Sequence, residues 1–299
     1  MNTEMDIYNA HFGLDHRPFA IQPDPAFLYW SPQHKHAYTM LEYGLMTRAP
    51  ITLITGEIGA GKTTLIHQLL QNLPNNLRVG LLSNAHGGRG ELLRWVLMAL
   101  DQPTRRREAY VDLFERFQRF LIDEYAAGNR VLLIVDEAQN LSRQGLEELR
   151  MFTNINANKD ELLQLLLVGQ PELREIIRRP ELRQFAQRVS SAFHLGAMNL
   201  SGVSAYMRHR MKVAGCPRDD VFTPEAIALI HDITGGVPRL VNQICDFALV
   251  YAMSADETHV SEETVQKVLD DGVFFLGEKL PASSNTVPMS SGARRRYRF

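Results

Sequence analysis

The chain has 299 residues, of which 45% are hydrophobic, and its formal net charge is -2. This composition suffices for a sizeable core and excludes a disordered protein, while the balanced charge does not indicate a nucleic-acid or membrane partner. The two cysteines, Cys216 and Cys245, lack metal-ligand spacing, so we expect two reduced thiols. The first residues do not resemble a signal peptide, and no run approaches ~20 apolar residues, so we expect a soluble cytoplasmic protein without a transmembrane segment.

Prolines break the N-terminal segment, residues 1–49, and we predict mostly loop there until a helix near His34–Met46. From residue 50 onward, short apolar runs alternate with helical stretches. The runs predict strands at Ile51–Thr55, Val79–Ser83, Val131–Val135, Leu165–Gly169 and Ser191–Leu195. Such alternation predicts an α/β domain with a parallel sheet, which we assign to residues 50–200.

After Leu200 the strand pattern ends and only helices are predicted. They cover Ser201–Ala214, Thr223–Ile233, Pro238–Ser254 and Ser261–Asp271. Ser201, Thr223 and Ser261 are predicted to begin three of them as N-caps. We interpret residues 201–276 as a small all-helical domain and residues 277–299 as a disordered basic tail. A solubilising tail is favoured over one that docks on anionic lipid or an acidic partner.

The segment GEIGAGKT has the spacing of a Walker A phosphate loop, and it lies between an apolar strand and a helix. Its glycines allow backbone N–H groups to turn toward phosphate oxygens, and the helix N-terminus adds a positive dipole end. We expect Lys62 to reach the β- and γ-phosphates and the Thr63 hydroxyl to bind Mg²⁺. A chance glycine-rich turn is disfavoured by this context. The predicted ATP-binding residues are Gly56, Glu57, Ile58, Gly59, Ala60, Gly61, Lys62, Thr63 and Thr64.

Two acids end the buried strand in VLLIVDEAQ and indicate a Walker B element. Asp136 is predicted to hold Mg²⁺ through water, and Glu137 to polarise the attacking water as the general base. Solvated acids at an ordinary turn are the alternative. The phosphate loop in the same chain disfavours that alternative.

Four further residues are candidates for the same chemistry. Gln170 ends a strand that could lie between the loop and the acids, where it would position water; an ordinary strand end is the alternative. Arg239, in GGVPR, occupies the first turn of a helix, where its charge opposes the helix dipole. That cost suggests an external anion such as a nucleotide phosphate, with a surface arginine as the alternative. Arg183 and Arg188 are both candidates for an arginine finger that reaches a neighbouring subunit, and intrachain salt bridges are the alternative.

The order of these motifs resembles the AAA+ ATPases. The block HFGLDHRPFAIQPDPAFLYWSPQH, with TGEIGAGKTT and LLLVGQPELR, is similar to the ExeA/GspA family of secretion ATPases and its short MshM-type relatives in type IV pilus biogenesis, over about residues 5–275. The resemblance implies a P-loop NTPase with a five-stranded parallel sheet, a helical lid and a homo-oligomer that shares its active sites. It also implies that Pro18–Phe19 and His34 line the adenine pocket, whereas the residues themselves favour Phe19 and Phe27 as core.

Longer members of this family continue into a transmembrane helix and a peptidoglycan-binding domain, whereas this chain ends in ARRRYRF. We therefore expect a secretion role to need a membrane-bound assembly partner, with the protein peripheral at the inner membrane. The resemblance implies an enzyme that hydrolyses ATP, with ATP and Mg²⁺ as cofactors. Its cycle would drive or regulate assembly of a cell-envelope machine for type II secretion, type IV pili or polysaccharide export.

Two alternatives compete with this interpretation. A DNA-associated AAA+ regulator of the transposition or replication type is one, because RVSS at Arg188–Ser191 resembles a stretch in origin-recognition ATPases. Charge does not indicate a nucleic-acid partner. A non-hydrolysing nucleotide switch is the other, and the presence of Lys62, Asp136 and Glu137 disfavours it.

Overall fold

The computed structural model describes residues 7–21, 24–83, 90–105, 107–157 and 160–274. The strands are β1 (Ile51–Gly56), β2 (Leu77–Ser83), β3 (Arg130–Asp136), β4 (Asn156–Ala157), β5 (Asp160–Glu161), β6 (Leu163–Gly169) and β7 (Val189–Leu195). The helices are α1 (Asn9–Phe12), α2 (Pro32–Met46), α3 (Lys62–Gln71), α4 (Glu91–Ala99), α5 (Tyr110–Ala126), α6 (Arg143–Phe152), α7 (Pro171–Ile177), α8 (Arg183–Ala186), α9 (Leu200–Val213), α10 (Pro224–Thr234), α11 (Pro238–Ser254) and α12 (Glu262–Asp270). Short 3-10 helices lie at Pro25–Phe27, Ala138–Asn140 and Pro180–Leu182.

Five strands form a parallel sheet in the order β2-β3-β6-β1-β7. Strands β1 and β6 are buried along their whole length, as expected of a parallel sheet with both faces covered. The predicted α/β sheet is confirmed, and β6 lies between β1 and β3. The short antiparallel hairpin of β4 and β5 is an addition that the sequence does not predict. Because the five strands run in one direction, their carboxyl ends meet at a single edge of the sheet.

A second hydrophobic core joins the N-terminal segment to helices α9–α12. Phe19 is fully buried there and meets the ring of Phe222 edge-on, with centroids 5.8 Å apart. The carboxylate of Asp246 on α11 accepts hydrogen bonds from Tyr8 Oη and Arg17 Nη2. The residues before α2 are therefore packed on the helical region, although they lie far from it in sequence.

Two of the three predicted N-cap residues, Thr223 and Ser261, cap their helices in the structure. Thr223 accepts from the N–H of the third residue after it at 3.2 Å, and Ser261 does the same at 3.2 Å. The prediction for Ser201 is wrong, because α9 begins at Leu200 and Asn199 caps it, accepting from Gly202 N at 2.9 Å. An N-cap needs an extended backbone, which Asn199 adopts, whereas Ser201 already lies inside the first turn.

The longest helices of the described residues are α5 and α11, each with 17 residues. Within the part of the chain that the structure describes, no helix is long and apolar enough to cross a bilayer. The predicted basic tail, residues 277–299, lies outside the described residues.

Candidate active site

The phosphate loop connects the end of β1 to α3 at the carboxyl edge of the sheet. Gly59 and Gly61 have φ values of 81° and 97°, a region that glycine adopts without steric cost. Lys62 begins α3, and its Nζ donates to the backbone oxygens of Gly56 at 2.7 Å and Glu57 at 2.9 Å. The loop therefore wraps around the lysine ammonium group.

Asp136 is the last residue of β3 and Glu137 follows it, at the same edge of the sheet. Glu137 has a φ of 52°, an uncommon value for a residue with a Cβ, and its N–H donates to Asp136 Oδ1 at 2.9 Å. Burial raises the pKa of Asp136, and the charge of Lys62 acts in the opposite direction. Burial lowers the pKa of Lys62, and the charges of Glu137 and Asp136 oppose that change. A bound cation would further stabilise the charged form of Asp136.

Two glutamine side chains hold the carboxylate of Glu137. Gln170, directly after β6, donates from Nε2 to Glu137 Oε2 at 3.2 Å, and Gln139 Nε2 donates to the same oxygen. Gln139 Oε1 also accepts the N–H of Gln170 at 3.0 Å. The structure thus brings Gln170 to the acidic pair. Gln139 is not predicted from the sequence, although its place two residues after Glu137 is a signal for it.

A cavity of about 500 Å³ lies beside the loop, within the range of small-ligand sites. Its wall combines the phosphate loop with the N-terminal segment and the helical region. The lining residues include Ala20, Ile21, Asp24, Phe27, Leu28, Tyr29, His34, Ile58, Gly59, Gly61, Lys62, Thr63, Thr64, Glu137, Met198, Tyr206, Arg210, Pro238, Arg239 and Asn242. Three separate parts of the chain must therefore fold together to complete it.

The GGVPR turn places the helical region directly on the phosphate loop. Arg239 N donates to Gly59 O at 3.3 Å, and a Cβ added to Gly59 would lie 2.4 Å from the Cβ of Arg239. Gly236 O accepts from Met198 N at 2.9 Å in the connection between β7 and α9. The Arg239 side chain is exposed and lines the cavity, so the structure places it beside the loop.

The two arginine-finger candidates lie outside this chain's own cavity. Arg188 precedes β7, at the edge of the sheet opposite the phosphate loop, and its Nη1 donates to Thr153 O and Thr153 Oγ1, both at 2.9 Å. Its Nη2 donates to Asn154 Oδ1. Arg183 is exposed, and no hydrogen bond or ion pair joins its side chain to another described residue. The two guanidinium groups therefore differ: hydrogen bonds within the chain hold that of Arg188, whereas Arg183 is exposed.

The resemblance assigns Phe19 and His34 to an adenine pocket, whereas the sequence itself favours Phe19 and Phe27 as core residues, and the structure gives the three side chains different surroundings. Phe19 belongs to the second core and does not line the cavity. Phe27 is both buried in that core and part of the cavity wall. His34 lines the cavity, and its Nε2 lies 3.2 Å from Ala60 O in the phosphate loop.

A buried arginine on α9, which the sequence does not single out, holds the N-terminal part of the cavity wall. Arg210 is 7% exposed, donates from Nε to Pro18 O, and stacks 5.0 Å from the ring centroid of Phe27. Its Nη1 donates to Tyr206 Oη at 3.2 Å, and Tyr206 Oη donates to Asn242 Oδ1 at 2.7 Å. This network links α9, α11 and the N-terminal segment around the cavity.

Comparisons with known proteins agree with this architecture. The AAA_22 family, an AAA domain, matches residues 45–177. General secretion pathway protein A of Aeromonas hydrophila is 40% identical over 248 residues, which cover 83% of this chain and 45% of that protein. Among solved structures, Cdc6p from Pyrobaculum aerophilum has a TM-score of 0.63 at 16% identity, and covers 86% of this chain and 73% of its own. The ORC2 protein of Aeropyrum pernix has a TM-score of 0.62 at 19% identity, and the match covers 86% of this chain and 72% of the ORC2 chain.

The likeness to the solved structures shows the fold alone, because identity is below 20% in both. That fold is the predicted P-loop NTPase of the AAA class, with its parallel five-stranded sheet and a helical C-terminal region. The chain spans less than half the length of the secretion protein that it matches. Over the 248 residues that the two share, this AAA-domain protein belongs to the family of general secretion pathway protein A.

Proposed function

We propose that this protein binds ATP with Mg²⁺ in the cavity beside the phosphate loop and hydrolyses it. One observation carries the proposal: the phosphate loop and Glu137 line one cavity at the carboxyl edge of the sheet. Asp136 and the two glutamines are held beside that cavity by their hydrogen bonds with Glu137. Ligands of α/β proteins bind at this edge. The match to an AAA domain supports nucleotide binding in general.

The loop residues Gly56–Thr64 would bind the phosphates through backbone N–H groups and Lys62. The lysine now donates to backbone carbonyl oxygens, and ATP binding would replace these with β- and γ-phosphate oxygens. The residues also fit Mg²⁺, because Thr63 offers a hydroxyl on the cavity wall and Asp136 a carboxylate whose burial a cation would offset. The ion would neutralise charge on the phosphates.

Glu137 would take the proton of the attacking water. Gln139 and Gln170 both donate to Oε2, which leaves Oε1 as the acceptor for that water among the described contacts. Arg239, whose backbone contacts Gly59, would neutralise the γ-phosphate. Arg183 or Arg188 would complete the site of a neighbouring subunit in a homo-oligomer.

Lys62→Ala is expected to weaken Mg²⁺-ATP binding at least about 100-fold, because it removes the charge that opposes the terminal phosphates. Titration with a fluorescent ATP analogue measures this affinity. Lys35→Ala is the matched control, since Lys35 is an exposed lysine on α2. Equal affinity of Lys62→Ala and wild type would refute the proposed site.

The identity to general secretion pathway protein A supports a role in the cell envelope. The ATP cycle would drive or regulate assembly of a type II secretion, type IV pilus or polysaccharide-export machine through a membrane-bound partner, with the protein in the cytoplasm or peripheral at the inner membrane. Complementation of a deletion strain tests this. Wild type should restore the affected assembly and Glu137→Gln should not, whereas a strain with intact envelope functions would contradict the role.

A DNA-associated regulator is the alternative. The likeness to origin-recognition proteins concerns the fold alone, and a net charge of -2 does not favour a polyanionic partner. Duplex DNA binding in the ATP state, measured at several salt concentrations, separates the two functions. Tight binding that weakens steeply with salt would favour the alternative.

A further inference from the structure

His34 on α2 is buried and connects two hydrogen-bonded partners. Its backbone N–H donates to Ser31 Oγ at 3.1 Å, and Ser31 Oγ lies 2.7 Å from its ring Nδ1. On the other side of the ring, Nε2 lies 3.2 Å from Ala60 O. The imidazole thus bridges the start of α2 and the phosphate loop.

These partners determine the tautomer of the ring. A carbonyl oxygen only accepts hydrogen bonds, so the proton of the neutral ring is on Nε2, and Nδ1 accepts from the Ser31 hydroxyl. The same hydroxyl oxygen accepts the N–H of His34, so each polar atom in the series is paired. Burial lowers the pKa of His34, which agrees with a neutral ring.

The ring packs directly on the turn that must hold phosphate. A Cβ added to Gly61 would lie 2.8 Å from His34 Nε2, so the loop backbone approaches the ring closely. A phosphate loop binds anions with N–H groups, and a carbonyl oxygen that turned toward the phosphates would repel them. The bond to His34 keeps the carbonyl of Ala60 occupied.

We propose that His34 is a positioning residue for nucleotide binding, which holds the Ala60 carbonyl away from the phosphates and so keeps the loop N–H groups available to them. This inference rests on the proposed ATP function. His34 acts through the loop backbone, so its loss should weaken nucleotide affinity and leave the hydrolytic step at saturation nearly unchanged.

The test compares His34→Gln with His34→Met. Their side chains are similar in length, but only glutamine has an N–H that can donate to Ala60 O. We expect His34→Met to raise the Kd for a fluorescent ADP analogue about tenfold, and His34→Gln to stay within about threefold of wild type. ADP is the probe because its affinity does not depend on hydrolysis. His36→Met, at an exposed histidine on α2, is the control.

His34→Asn is a second variant without the bond, because its amide is too short to reach Ala60, and it should bind ADP as weakly as His34→Met. With ATP, KM should rise about tenfold in both, while kcat stays within about twofold. Any of three results would overturn the inference. The first is wild-type ADP affinity in His34→Met, the second is an equal loss of ADP affinity in His34→Met and His34→Gln, and the third is a lower kcat at unchanged KM. The proposed ATP function has its own test, because it is refuted if Lys62→Ala binds nucleotide with the same affinity as wild type.

Discussion

Glu137→Gln is expected to lower kcat for ATP hydrolysis by about 100- to 1,000-fold while ATP affinity stays within about threefold of wild type. The amide cannot accept the proton of the attacking water, but it has nearly the shape of the carboxylate and can still accept from Gln139 and Gln170. Phosphate release at saturating ATP measures kcat, and nucleotide titration measures affinity. Glu175→Gln, at an exposed position on α7, is the control. Turnover of Glu137→Gln at the wild-type rate would show that the assigned general base is wrong.

The same variant separates the two arginine-finger candidates. Mixed oligomers of Glu137→Gln and Arg183→Ala subunits should recover part of the turnover, because an intact Glu137 then meets an intact Arg183 at a shared site. Arg188→Ala subunits should behave differently, because the Arg188 guanidinium is bound to Thr153 and Asn154 within its own chain. Turnover that Arg188→Ala loses should therefore not return when its subunits are mixed with Glu137→Gln subunits. Recovery of turnover in mixtures with Arg188→Ala subunits, but not in mixtures with Arg183→Ala subunits, would reverse this assignment.

Gly236→Ala is expected to reduce the free energy of unfolding by at least about 3 kcal/mol, whereas Gly235→Ala should cost only about 1 kcal/mol. Both glycines have positive φ, of 74° and 57°. A Cβ at Gly236 would lie 1.8 Å from the carbonyl oxygen of Met198, while nothing lies within 4 Å of a Cβ at Gly235. Gly235→Ala therefore controls for backbone strain alone.

Urea unfolding monitored by circular dichroism measures both variants. Equal losses would contradict the close packing of this turn against the connection to α9. If the Gly236→Ala protein remains folded because the connection moves, we expect weaker nucleotide binding, since the neighbouring Arg239 N–H contacts Gly59 in the phosphate loop. Unchanged stability together with unchanged affinity would refute the contact altogether.

Local patterns in the sequence determined the elements that carry the chemistry. One is the strand, loop and helix around Gly56–Thr63, and the other is the apolar strand before the acidic pair Asp136 and Glu137. Each can be recognised within about ten residues, because hydrophobic periodicity and glycine spacing are short-range signals. The alternation of strands and helices also predicted the parallel sheet, which is confirmed. The roles of the individual side chains stay predictions that the variants above test.

Tertiary structure alone decided which distant segments complete the site. Three contacts join residues that no local sequence pattern connects. They are the packing of Phe19 on Phe222, the hydrogen bond from Arg210 to Pro18, and the hydrogen bond between His34 and Ala60. Such contacts depend on burial of apolar surface and on pairing of buried polar groups across the whole chain. The sequence thus determined where a phosphate loop lies, and the folded chain decided what surrounds it, because long-range packing joins the N-terminal segment to the helical region and brings both to the cavity beside the loop.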